Sequence, residues 1–207
     1  MMKKIIFGLL FIGIIFMSFK LVDTLKTDNS KGSEFNDLSK KRLENQIKEL
    51  KKVIQSNSKY NSEIAFFIDM KIHSGKNRFF IYDLKKNLVL DQGLVAHGSG
   101  SETGIPGKLK FSNTNNSLAT SLGKYYIGNS YNGKFGKAYK LYGLDKTNSN
   151  AFNRAIVLHK YFDVPYEEQD GYICNSYGCP MVNENYFKRI ENIIDNSKTN
   201  ILLAIYY

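Results

Sequence analysis

The chain has 207 residues, enough for one ordinary core with an appendage and too few for two typical catalytic domains. Hydrophobic residues make up 43% and aromatics 14%, with Tyr and Phe abundant and Trp absent; this excludes a disordered chain and favours strands over helices. The net charge of +10 suits an anionic partner such as a wall polymer or a lipid surface, but no Arg-rich stripe with interleaved aromatics occurs, which excludes a nucleic-acid binder.

Met1-Met2-Lys3-Lys4 is a short basic start, and Ile5 to Phe19 is an apolar run interrupted only by Gly8, Gly13 and Ser18. This pattern predicts an export signal. The run is short for a spanning helix, where ~20 residues are usual, but Leu21 and Val22 extend it beyond Lys20. Residues 1–22 are therefore assigned to a signal peptide or signal anchor, the only expected membrane contact. No Ala-x-Ala-like triplet and no lipid-accepting Cys follow. The remainder is expected outside the cytoplasmic membrane, in the periplasm or on the membrane's outer face.

Residues 23–62 read as a polar linker followed by an amphipathic helix, because Leu43, Ile47, Leu50 and Ile54 recur three or four apart among Lys, Glu and Gln. Residues 63–207 read as the main domain. Apolar runs predict strands over Ile64–Met70, Arg78–Leu84, Leu88–Asp91 and Leu94–His97, arranged as two hairpins. The Gly-, Ser-, Asn- and Thr-rich stretch from Gly98 to Ser121 predicts a long loop of the kind that borders functional sites. Strand signals resume at Gly123–Ile127, Lys137–Leu144 and Ala155–His159. A helix is predicted over Tyr186–Ile194, and Thr199–Tyr207 closes the chain as a strand.

The chain has two cysteines, Cys174 and Cys179. In an exported protein they could pair, although so small a loop gains little from closure. A metal site would need both, with two of His73, His97 and His159, and no close Cys-x-x-Cys or His-x-x-x-His pair exists. The third reading is chemical. Gly178 directly before Cys179 permits a sharp turn whose N–H groups can face an oxyanion, and Pro180 stiffens its exit. His159 ends an apolar strand that could hold an imidazole near the thiol. Spacing alone leaves all three readings open.

A series of segments in order resembles the L,D-transpeptidase (YkuD-type) superfamily, in particular its variant branch of murein L,D-transpeptidase catalytic-domain proteins. The series begins with Arg78-Phe79-Phe80-Ile81-Tyr82-Asp83-Leu84 and Val95-Ala96-His97-Gly98-Ser99-Gly100-Ser101. It continues through Lys110-Phe111-Ser112-Asn113, Ser121-Leu122-Gly123-Lys124-Tyr125 and Leu141-Tyr142-Gly143-Leu144-Asp145. Arg154-Ala155-Ile156-Val157-Leu158-His159 follows, and Ser176-Tyr177-Gly178-Cys179-Pro180 ends it. The match runs from about Ile64 to Tyr207. It implies a mainly β (α+β) fold, an L,D-transpeptidase-like β-sandwich with an N-terminal amphipathic helix and a helix after Cys179.

The resemblance also implies chemistry. Cys179 would attack the peptide carbonyl between the third, diamino residue and the terminal D-Ala of a peptidoglycan stem tetrapeptide. His159 would take the thiol proton and return it to the leaving amine, and backbone N–H groups of Tyr177, Gly178 and Cys179 would hold the oxyanion. An amine acceptor gives cross-linking; water gives an L,D-carboxypeptidase or endopeptidase. A different class of function is a wall-binding domain with a Cys174–Cys179 disulfide. The enzyme reading implies no cofactor and no metal, and a monomer is expected.

Two departures stand out. Tyr177 replaces the His of the more familiar Ser-His-Gly-Cys pattern, and Pro180-Met181-Val182-Asn183 follows where that pattern places an Arg. Substrate carboxylates must then be met by other groups, for which Asn183, Lys160 and Arg154 are candidates. Ser176 and His97 are further candidates for substrate contact, each with a structural alternative in bonding to loop backbone.

Overall fold

The computed structural model describes residues 37–207. The segment assigned to an export signal and the linker stretch 23–35 lie outside the described residues. Residues 37–55 are helical (α1), and from Leu43 to Tyr207 the chain forms one compact unit. Among the described residues no helix is long and apolar enough to cross a membrane.

Nine strands follow α1: β1 (Tyr60–Asp69), β2 (Phe79–Asp83), β3 (Leu88–Gly93), β4 (Val95–Ala96), β5 (Gly123–Gly133), β6 (Gly136–Gly143), β7 (Val157–Lys160), β8 (Met181–Val182) and β9 (Asn200–Tyr206). Helix α2 (Glu184–Asp195) lies between β8 and β9. The sheet order is β3-β2-β1-β9-β5-β6-β7-β8-β4. Only Leu94 separates β3 from β4, yet they stand at opposite ends of that order. Such a sheet must curl until its two edges meet, which encloses one core.

The curl explains one departure from the sequence-based expectation. β1 and β2 do form a hairpin, and β2 continues into β3. β4, however, pairs with β8 rather than with β3, because a one-residue connection is too short for a hairpin turn.

Strand periodicity sorts the core into two faces. Phe66 and Ile68 of β1, with Leu203 and Ile205 of β9, point into the enclosed core, which α2 fills with Tyr186, Phe187 and Ile190. The alternate residues Ala65, Phe67, Leu202 and Ala204 meet Ile47, Leu50 and Ile54 of α1. β9 is therefore buried on both faces, which is why its sequence reads as an unbroken apolar run. Each Phe, Leu or Ile so buried contributes about 1.5–3 kcal/mol, and Leu50→Ala at the centre of the α1 seam would forfeit one such contribution among those of Ile47, Leu50 and Ile54.

Candidate active site

β7 and β8 run parallel, with His159 opposite Met181, and this register brings Cys179 beside the strand that carries His159. The Val157 N–H donates to the Cys179 sulfur at 3.4 Å, and the thiol donates to the Ala155 carbonyl at 3.7 Å. Ala155 has φ 54°, a left-handed conformation that costs a non-glycine residue about 1–2 kcal/mol. That strained turn aims its carbonyl at the thiol.

Cys179 and His159 line one cleft of about 330 Å³ with Lys134, Phe135, Tyr161, Ser176 and Tyr177. A larger cleft of about 400 Å³, between β5 and the end of α2, contains neither cysteine nor histidine, so size does not locate the chemistry. The His159 Nδ1 lies 3.0 Å from the Lys160 carbonyl. An oxygen there accepts only from a protonated Nδ1, which leaves Nε2 with the lone pair of a base. Phe135 stacks on the imidazole at 5.3 Å and 12°. Burial pushes the His159 pKa down, only partly opposed by the Lys160 carbonyl. Burial likewise pushes the Cys179 thiol up, opposed by the Val157 N–H and the Arg154 charge. Both shifts favour the neutral forms, thiol and imidazole.

The turn before Cys179 is built from backbone geometry. Gly178 has φ 115°, and a Cβ there would lie 3.0 Å from the Ala119 carbonyl oxygen and 3.1 Å from Ile156 Cδ1. Only glycine fits. Ser176 is buried, and its hydroxyl accepts the Gly178 N–H at 3.0 Å. Gly178, expected to serve an oxyanion, thus spends its N–H inside the turn. The N–H groups of Tyr177 and Cys179 meet no acceptor among the described residues, and Tyr177 is 77% exposed.

His97 lies behind this turn rather than in the cleft. Its Nδ1 accepts from Arg78 Nη2 at 2.8 Å and its Nε2 donates to Glu102 at 2.7 Å, while its carbonyl accepts the Ser176 N–H at 2.8 Å. Arg78 is fully buried and also donates twice to the Val95 carbonyl; burial lowers its pKa to about 9. Gly98 packs so closely that a Cβ would lie 2.2 Å from the Leu118 carbonyl oxygen, fixing the polar loop against the turn. That loop does border the site, as its composition suggested.

Asn183 is occupied as well, capping α2 by accepting the Asn185 N–H at 2.9 Å and donating to the Val164 carbonyl at 2.8 Å. Both cysteines are free thiols, and Cys174 packs against the apolar cluster of Leu94, Val164 and Ile173. The possible disulfide is not formed. Among the described residues no three His, Cys, Asp or Glu side chains gather as a metal site.

Sequence reasoning missed Lys134, Phe135 and Tyr161. Lys134 and Phe135 form the two-residue tip between the paired Gly133 and Gly136. The Gly-x-x-Gly spacing between two aromatic-rich runs was the available signal for a tight hairpin, but nothing local placed its tip over His159.

A family model described as L,D-transpeptidase catalytic domain matches residues 34–206. No protein of curated function matches the sequence. Among solved structures, the helical cell shape determining protein Pgp2 from Campylobacter jejuni is similar at 12% identity and TM-score 0.46, covering 69% of this chain and 47% of that one. An L,D-transpeptidase from Xylanimonas cellulosilytica matches at 14% identity and TM-score 0.38, covering 70% and 61%. L,D-transpeptidase 1 from Mycobacterium tuberculosis matches at 8% and 0.35, covering 70% and 62%. The chain thus spans between about half and three-fifths of these proteins' lengths.

Proposed function

Because this chain belongs to the family of L,D-transpeptidase catalytic domains, we propose that it is an exported cysteine acyl transferase acting on peptidoglycan stem tetrapeptides. The observation that carries this reading is the shared cleft of Cys179 and His159, with Nδ1 of the imidazole tied to the Lys160 carbonyl so that Nε2 is the base. The basic and apolar start of the chain supports export to the compartment that holds this substrate.

In the proposed reaction the Cys179 sulfur adds to the carbonyl carbon between the diamino residue and D-Ala, and its proton passes to His159 Nε2. The carbonyl electron pair moves to oxygen, where the N–H groups of Tyr177 and Cys179 stabilise it. Collapse breaks the C–N bond, and the leaving D-Ala amine takes the proton from His159. A thioester remains. An acceptor amine then attacks it, passing a proton through His159 back to the sulfur, so that one amide is exchanged for another.

The test is incubation of the protein with a purified stem tetrapeptide, with and without an excess of amine acceptor. D-Ala release together with a product heavier by the acceptor is expected, and Cys179→Ala abolishes both. Purely hydrolytic products at every acceptor concentration would assign water as the acceptor, and no release of D-Ala at all would refute the reading.

A further inference from the structure

The following rests on the acyl-transfer reading: we propose that the β5–β6 hairpin reads the carboxylates of the substrate through Lys134 and Lys140, which line two different clefts. The groups expected to replace the missing arginine are already engaged. Arg154 donates to the Ser112 and Ala119 carbonyls at 2.7 and 2.6 Å. Lys160 is paired with Glu184 at 2.7 Å, and Asn183 holds the start of α2.

Lys134 lines the cleft of His159. Lys140 lines a second cleft, of about 220 Å³, together with Tyr131, Phe152, Ala155 and Val157. Ala155 and Val157 are the residues whose backbone holds the Cys179 sulfur, so this second cleft is lined by the segment that positions the thiol, and each of the two clefts is lined by one lysine. Neither ammonium meets a carboxylate among the described residues. Lys140 Nζ stands 5.7 and 5.6 Å from the rings of Tyr131 and Phe152, and Lys134 Nζ stands 5.5 Å from Phe135. Ring faces hold an ammonium in place and shed part of its water without neutralising it, which leaves the charge available to an anion.

Proton traffic decides which lysine meets which carboxylate. The leaving amine must take its proton from His159, so the leaving residue and its terminal carboxylate occupy the cleft of Lys134. The retained acyl part then extends past Ala155 and Val157 into the other cleft. There Lys140 meets a carboxylate on the acyl part, such as one on the side chain of the diamino residue.

Steady-state kinetics with three synthetic tetrapeptides test this: the free acid, the form amidated at the terminal D-Ala, and the form amidated on the diamino side chain. For the wild type each amidation is expected to lower kcat/KM on the order of tenfold, mainly through KM, as loss of a charge-assisted hydrogen bond does. Lys134→Gln should become indifferent to terminal amidation and stay sensitive to side-chain amidation. Lys140→Gln should show the reverse, and the Arg variants should keep wild-type discrimination. Lys85→Gln, at an exposed lysine paired with Glu63 and lining neither cleft, serves as the control. Unchanged discrimination in both Gln variants, or a wild type blind to amidation, overturns the assignment. A wild type that releases D-Ala from none of the peptides refutes the acyl-transfer reading itself, which an active wild type with unaltered variants does not.

Discussion

The Cys179 sulfur accepts the backbone N–H of Val157 at 3.4 Å, two residues before His159 on the same strand. One short strand, β7, therefore carries the imidazole and supplies a hydrogen bond to the thiol. The N–H also offers the sulfur one hydrogen bond that would strengthen as negative charge develops there.

Activity should follow the ionisation of His159 on the acid side. Burial lowers the pKa of His159 from its ordinary 6.5, and the base must be unprotonated to accept the thiol proton. The acid limb of kcat/KM is expected to inflect below pH 6.5, with activity rising as pH rises through it. Because burial raises the Cys179 thiol from its ordinary 9.0, alkylation by iodoacetamide without substrate should be slow at neutral pH and keep rising beyond pH 9. Fast alkylation at pH 6 would point instead to a preformed ion pair.

Gly178→Ala should damage both the turn and the fold. The φ of 115° and the contacts a Cβ would make together cost about 1–3 kcal/mol, read as a lower midpoint in thermal or urea unfolding. Activity should fall further than stability does, since the adjacent N–H groups lose their direction. A variant with wild-type kinetics would show that the turn tolerates another geometry.

Phe135→Ala should separate catalysis from stability. The ring is 41% exposed, so its loss should change stability by less than about 1 kcal/mol. It nevertheless stacks on His159 and restricts the imidazole. A fall in kcat on the order of tenfold is expected, with the unfolding midpoint nearly unmoved; intact kcat would remove Phe135 from the positioning of the base.

His97 makes the fold sensitive to acid. Burial first, and the Arg78 charge second, hold its pKa below the ordinary 6.5, so the unfolded chain binds a proton that the folded chain resists. Its contribution to stability is complete above pH 6.5 and is lost as pH falls below that value. His97→Gln should cost about 1–3 kcal/mol at pH 7.5 and flatten part of the decline below pH 6.5, to which His159, shifted in the same direction, also contributes. Unfolding curves across that range check both effects.

Much of this was legible in the sequence where one physical rule dominated. The α1 face of Ile47, Leu50 and Ile54 follows from helical spacing, and the unbroken β9 run from burial on both faces. The Gly178-Cys179 turn was legible because a sharp turn directly before Cys179 calls for a glycine, and Gly178 has φ 115°. Longer-range facts were not. The pairing of β4 with β8 depends on how far the sheet curls, and the partners of His97 come from Arg78 and Glu102, which lie 19 and 5 positions away. The use of the Gly178 N–H by Ser176 and the placing of Phe135 over His159 likewise depend on tertiary geometry.

The most direct measurement is intact-mass analysis of the protein quenched during turnover of a stem tetrapeptide, followed by peptide mapping. An adduct equal to the tetrapeptide less D-Ala, carried by the peptide containing Cys179 and absent from Cys179→Ala, is the expected result. D-Ala release with no adduct at any quench time, or with an adduct on Cys174, would contradict acylation at Cys179.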